Sequence, residues 1–131
     1  MTKAEALHAF WSSFQVNAWD SATVPDEITM KALGLDPYPR ITYDVSVGYW
    51  EDGNILMAAS LWYRSPTWED ITLKADEIGA RIGMGGIILH YTGGAIWLKR
   101  GTPFYQRMAD PEDDMVRRIY INVAAEYLSA N

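Results

Sequence analysis

The sequence contains no cysteine, which excludes a disulfide framework, a thiol nucleophile and any zinc site built on sulfur ligands. The fold must therefore stand on packing alone. Histidine is scarce as well: His8 and His90 are the only two, and theirs are the side chains whose unperturbed titration falls near neutral pH. They stand on different elements with no motif around either, so they read as an exposed helix residue and a strand residue. No nucleophile-and-base arrangement can be argued elsewhere, and no enzyme activity is expected. No apolar run approaches the roughly 20 residues that span a bilayer. The opening MTKAEALHAFW lacks a basic stretch followed by a long apolar one, so neither a membrane partner nor signal-directed secretion is expected. Positive charge is short too, with 11 Lys and Arg against 17 Asp and Glu for a net charge of −6. Binding to phosphates needs a concentrated basic surface, so specific nucleic-acid binding is not expected.

What is present is enough chain for one domain, residues 1–131, with a real core. Six Trp and eight Tyr are more than one compact core requires. Such side chains join a large apolar body to one polar handle and are enriched at interfaces. The chain is organised around residues 41–63, ITYDVSVGYWEDGNILMAASLWY. Ile41, Tyr43, Val45, Val47 and Tyr49 alternate on one arm; Ile55, Met57, Ala59, Leu61 and Tyr63 alternate on the other. Asp52, Gly53 and Asn54 tolerate the positive φ of a reversal, and the stretch predicts a long antiparallel hairpin. Its second face carries Trp50, Leu56, Ala58 and Trp62 among polar residues. Both faces are therefore expected to be covered, by helices of the chain or by a neighbouring subunit.

Before the hairpin, Thr2 and Glu5 have capping-box spacing, and Leu7, Phe10, Trp11 and Phe14 follow at helical intervals. A helix over about 3–15 with a core stripe is expected. Residues 15–40 hold Pro25, Gly34, Pro37 and Pro39 and read as a long connection, with a short helical turn at 26–33. After the hairpin, Trp68, Ile71, Ala75, Ile78 and Ile82 mark a helix over 67–82, capped by Thr67 and ended by Gly83. A short hairpin is expected at 87–99 around Thr92, Gly93 and Gly94, then a protruding loop over 101–114 and a last strand over 115–128. This order predicts an α+β fold, a mostly antiparallel sheet of about five strands with two main helices packed on it.

Three clusters invite a chemical reading and decline it. Gly83-Met84-Gly85-Gly86 follows a helix and precedes a strand, the reverse of a nucleotide-binding glycine loop. Asp110, Glu112, Asp113 and Asp114 crowd together but lack EF-hand spacing, so a solvated acidic loop is expected rather than a metal site. Lys99-Arg100 and Arg117-Arg118 flank that loop, either holding it by ion pairs or offering charge to a partner subunit.

Three runs together resemble a known family: PRITYDVSVGYWEDGN, LWYRSPTWEDITLKADEIGARI and IWLKRGTPFYQRMADPEDDMVRRIYINVAAEYL. They are similar to the tail terminator, or tail completion, proteins of long-tailed phages with non-contractile tails. LWYRSPTWEDI and KRGTPFYQRM are the most specific pieces, and FWSSF in the first helix is similar too. The resemblance implies an α+β structural virion protein without cofactor or catalysis. It implies a ring, hexameric in the family, that caps the tail tube, ends its polymerisation and offers the head connector a docking surface. Implied partners are further copies of the chain, the tail tube protein and the connector, in a virion tail assembled in the host cytoplasm. Segment 31–39, KALGLDPYP, is longer than is usual for the family.

The family has no catalytic motif to carry over. Interface residues proposed from this sequence are Trp62, Arg64, Trp68, Arg100, Phe104, Tyr105, Gln106, Arg107 and Met108. Two alternatives stay open: another head-tail connector or minor tail protein, and a small ligand-binding or hydrolytic α+β domain with a pocket lined by Trp50, Trp62 and Trp97.

Overall fold

Thr2 caps the first helix as its spacing requires: its Oγ accepts from the Glu5 amide while the Glu5 carboxylate accepts from the Thr2 amide. In the computed structural model, which describes residues 1–109 and 112–129, this helix is α1, Lys3–Ser12. The sheet that follows has six strands: β1 (Asn17–Asp20), β2 (Arg40–Tyr43), β3 (Asn54–Arg64), β4 (Ile87–Tyr91), β5 (Gly94–Ala109) and β6 (Val116–Ser129). Between them lie α2 (Glu27–Ala32) and α3 (Glu69–Ile82). The spatial order is β1-β2-β3-β6-β5-β4. Only β1 and β2 run parallel, so the α+β, mostly antiparallel expectation holds, with one strand more than expected.

The core lies on one side of the sheet. Phe10, Trp11 and Phe14 from the first helical segment, and Ile71, Ala75, Ile78 and Ile82 from α3, pack against Ile41, Leu61, Ile119, Ile121 and Tyr127. Each fully buried side chain of this size contributes roughly 1.5–3 kcal/mol by leaving water. α1 touches both edge strands, β1 and β4, and the sheet curls around it as a half-barrel.

The long hairpin is much shorter than its alternation suggests. β2 pairs with β3 only from Arg40 opposite Trp62 to Tyr43 opposite Ala59. The Asp44 amide makes a last backbone bond to the Ala58 carbonyl at 2.9 Å, and residues 45–49 then leave the ladder and lead into a 3-10 turn, Trp50–Asp52. Gly53 does reverse the chain, with φ of 69°. Along its other edge β3 pairs over its full length with β6, from Asn54 opposite Glu126 to Arg64 opposite Val116. That second partner is remote in sequence, and local pattern does not reveal it.

The connection over 15–40 holds the short helix expected at 26–33, α2, where Asp26 accepts from the Thr29 amide at 2.7 Å and Met30 is buried. It also holds a strand that was not expected, β1. α3 begins at Glu69 rather than 67; Thr67 Oγ only grazes the Glu69 amide at 3.5 Å.

The largest correction concerns the expected protruding loop over 101–114, of which residues 101–109 belong to a strand. β5 continues to Ala109 and pairs with β6 as far as Ala109 opposite Arg117. Its missing period has a cause. Arg100 faces Val123 while Tyr105 faces Ile121, so residues 101–104 stand opposite Asn122 alone and form a wide irregularity. Pro103 has no amide hydrogen for the ladder, and its carbonyl accepts instead from Asn122 Nδ2 at 3.0 Å. Inward residues are even-numbered before this point, Ile96 and Leu98, and odd-numbered after it, where Tyr105 and Arg107 face Ile121 and Ile119.

Candidate interface at the arginine end of the sheet

Pairing places Arg40, Trp62, Arg118 and Met108 in one row across four strands, on the face turned away from the helices. Trp62 lies between two guanidinium groups: Cζ of Arg118 is 4.5 Å and Cζ of Arg40 is 5.0 Å from its ring centre. The Trp62 indole donates to Thr42 Oγ1 at 2.9 Å. Arg118 Nε donates to Ser60 Oγ at 3.1 Å, and Arg40 Nη1 to the Pro37 carbonyl at 2.9 Å. Tyr38 stacks beyond Arg40, and Tyr120 beyond Arg118. Segment 31–39 thus flanks this ladder. Each cation–π contact is worth roughly 0.5–1 kcal/mol at sites this open.

A second sandwich sits on the helix side of the same end. Trp68, just before α3, lies between Arg107 and Arg117, with Cζ distances of 5.0 and 5.4 Å. Arg117 also donates to the Ser65 and Pro66 carbonyls at 3.0 and 2.9 Å. Between the two sandwiches, Arg64 pairs with Asp113. The hydrogen bond from Arg64, and then one from the Met115 amide, hold the Asp113 carboxyl below its ordinary range. Both partners are open to solvent, so the pair orders the rim more than it stabilises the fold.

Five of the seven arginines of an acidic chain therefore gather at this end: Arg40, Arg107, Arg117 and Arg118 on the two tryptophans, and Arg64 on Asp113. Among the described residues, only Arg64 of these five reaches a carboxylate. The helices leave the outer sheet face open, and Leu56 on it is 79% exposed. Planar cations already laid on aromatic rings are suited to receive carboxylates and further rings.

Of the expected interface residues, Trp62, Arg64, Trp68, Arg107 and Met108 meet at this end. Gln106 is exposed in the next row, opposite Tyr120. Phe104 and Tyr105 turn elsewhere. The Phe104 ring lies against Gly79 of α3, and the Tyr105 hydroxyl donates to Asp76 at 3.2 Å. Burial first, then Asp76, raises the pKa of that hydroxyl. Arg100 borders a separate cleft with Met84, Gly85, Trp97 and Lys99. Arg40 and Tyr38 gave no sequence signal, since their role depends on β2 lying beside Trp62. Arg117-Arg118 was visible as a basic pair, but only strand geometry sends one to each tryptophan.

Trp50, Trp62 and Trp97 do not line one pocket. Trp62 lies opposite Arg118 and Trp97 opposite Glu126, eight positions apart on β6, which is roughly 26 Å of strand. Of the acidic cluster, Asp110 lies outside the described residues. Among the described residues no group of three or more His, Asp and Glu could hold a metal. His8 Nδ1 is 2.6 Å from the Tyr43 hydroxyl and its Nε2 3.2 Å from Ser12 Oγ, and His90 is exposed on β4. No described helix is long and apolar enough to cross a membrane.

No protein-family model matches the chain, and no curated protein matches it.

Proposed function

We propose that this chain is a structural virion protein that caps a phage tail tube as a ring subunit, ends tube polymerisation and offers the head connector its docking surface. The observation that carries the reading is the uncovered outer face of the sheet, where Leu56 is exposed and the Trp62 sandwich closes one end, with the Trp68 sandwich on the helix side of that same end. Arg, Trp and Tyr are the side chains that dominate protein interfaces. A monomer gains little from gathering them on a surface it leaves open. The free edges of β1 and β4 add backbone groups that a neighbour can pair. The resemblance of LWYRSPTWEDI and KRGTPFYQRM to tail terminators supplies the biological setting. The role is one of assembly, with neither cofactor nor chemical step.

Negative-stain imaging of the purified protein mixed with isolated tail tubes tests it. Added density at one tube end, and over-long tails when the protein is missing from an infection, are expected. Bare tube ends together with tails of normal length would sink the reading.

A further inference from the structure

Opposite the arginine end stands a second surface without a partner. After β2 the chain leaves the sheet and displays Val47, Tyr49, Trp50, Glu51 and Asp52, with Tyr49 63% and Trp50 59% exposed. Exposed aromatics in a chain segment outside any strand usually indicate slack, but this segment is pinned. Tyr127 donates to the Ser46 carbonyl at 2.6 Å, and the Ser46 amide points to Met57 Sδ at 3.4 Å. Lys3 Nζ donates to the Gly48 carbonyl at 3.1 Å while lying 4.5 Å from the Tyr49 ring centre. The Asp52 carboxylate accepts from the Tyr49 amide at 2.8 Å, which closes the turn. A contact made by this tip gives up little further conformational freedom, because the backbone is already ordered.

The tip carries aromatic rings and carboxylates; the far end of the sheet carries arginines already stacked on tryptophan. They are complementary in charge and in shape of group. They cannot meet within one molecule: the tip leads into β3 at Asn54 and the outer sandwich is at Trp62 of the same strand, roughly 26 Å along it. We infer that the Tyr49-Trp50-Glu51-Asp52 tip of one copy docks on the Arg40–Trp62–Arg118 face of the next, a head-to-tail contact between identical chains. Guanidinium groups receive the Glu51 carboxylate, and Trp50 or Tyr49 extends the alternation of ring and cation. Because the two surfaces differ, the contact is heterologous and repeats from copy to copy until it closes. It rests on the ring reading above and specifies which surfaces make the ring.

Purified protein in the analytical ultracentrifuge at low ionic strength tests it, with two variants: Trp50→Ala/Glu51→Ala, which disables the tip, and Arg118→Glu, which disables the face. The native chain should self-associate, and less so as salt rises. Each variant alone should associate at least about tenfold more weakly. Their equimolar mixture should give a one-to-one dimer that grows no further, since it retains one good tip and one good face. Glu51→Arg combined with Arg118→Glu in one chain should recover association. Melting temperatures check folding, and Arg118→Gln, which retains a donor for Ser60, replaces Arg118→Glu if that variant unfolds. A native chain that stays monomeric, variants that associate unchanged, or a mixture that stays monomeric would each overturn the contact. So would duplex DNA bound by the face and lost with Arg118→Glu while self-association is unchanged. Tail length in an infection reads the other claim. Lost association with normal tails fails the tail role alone; intact association in the variants with over-long tails in the protein's absence fails the contact alone.

Discussion

The Tyr127 hydroxyl donates to the Ser46 carbonyl oxygen across 2.6 Å and so ties the end of β6 to the segment that precedes β3. The ring is fully buried in the core while its hydroxyl reaches the surface segment. One side chain thus connects the packing of the sheet to the posture of the Tyr49–Trp50 tip.

Replacing Tyr127 by Phe should keep the ring packing and leave the Ser46 carbonyl without its donor, at a cost of about 1 kcal/mol in chemical denaturation. The pH dependence carries a second signature. Burial first, and Tyr91 second, push the Tyr127 hydroxyl up to about 12, above the value of about 10 for a free tyrosine. The stabilisation is fully present below the unfolded value and is lost as pH rises from there through the folded one. The native chain should lose stability in that alkaline window more steeply than Tyr127→Phe.

Phe104 and Gly79 form a coupled pair. A Cβ at position 79 would lie 2.9 Å from Phe104 Cε2. Phe104→Ala should cost roughly 1–3 kcal/mol through lost packing. Gly79→Ala should be stabilising by about 0.5–1 kcal/mol in the Phe104→Ala background, where only the helix preference remains, and less favourable in the native background. A double-mutant cycle measured by denaturant melts checks this; additivity would mean the ring does not press on α3.

Arg107 should behave differently from Phe104 although only three positions separate them. Its exposed guanidinium rests on Trp68, so Arg107→Ala should cost no more than about 1 kcal/mol. Thermal unfolding of the single variants separates the two. An equal loss from both would show that Arg107 is a packing residue as well.

Acid should weaken the chain through three identified carboxyls. Hydrogen bonds from the Thr2 backbone hold Glu5 below its ordinary range, those from Thr29 do so for Asp26, and Arg64 does so for Asp113. Depressed carboxyls stabilise the fold above their unfolded values, and that contribution disappears as pH falls through the folded values. Melting temperature should fall through the acid range. The fall should be shallower in Asp26→Asn and Asp113→Asn than in the native chain.

Despite the gathered arginines, short duplex DNA should bind no tighter than about micromolar at physiological salt. The chain's net charge of −6 opposes the approach of a polyanion. Fluorescence anisotropy with labelled duplex reads this directly, and tight binding would redirect the functional reading to nucleic acid.

The sequence by itself determined what depends on near neighbours. Thr2 and Glu5 are three apart, so the cap of α1 was legible; the stripe Ile71, Ala75, Ile78 and Ile82 repeats at helical spacing, so α3 was too. Gly93 and Gly94 marked the β4–β5 reversal, and the alternation of Ile119, Ile121, Val123, Ala125 and Tyr127 marked β6 and its buried side. Tertiary structure alone decided the remote pairings. β3 pairs along one edge with the whole of β6, a partner far away in sequence, while its other edge meets β2 only over Ala59–Trp62. The arm at 45–49 bends off the sheet and leaves the Tyr49–Trp50 tip exposed. The irregularity opposite Asn122 hid the second half of β5, since a shift of one residue in parity erases a period-two pattern. At the arginine end, Trp62, Arg64, Trp68, Arg107 and Met108 were legible as interface types, but the Trp62 sandwich was not: Arg40, Trp62 and Arg118 are far apart in sequence, and a cation finds its ring only when three strands are laid side by side.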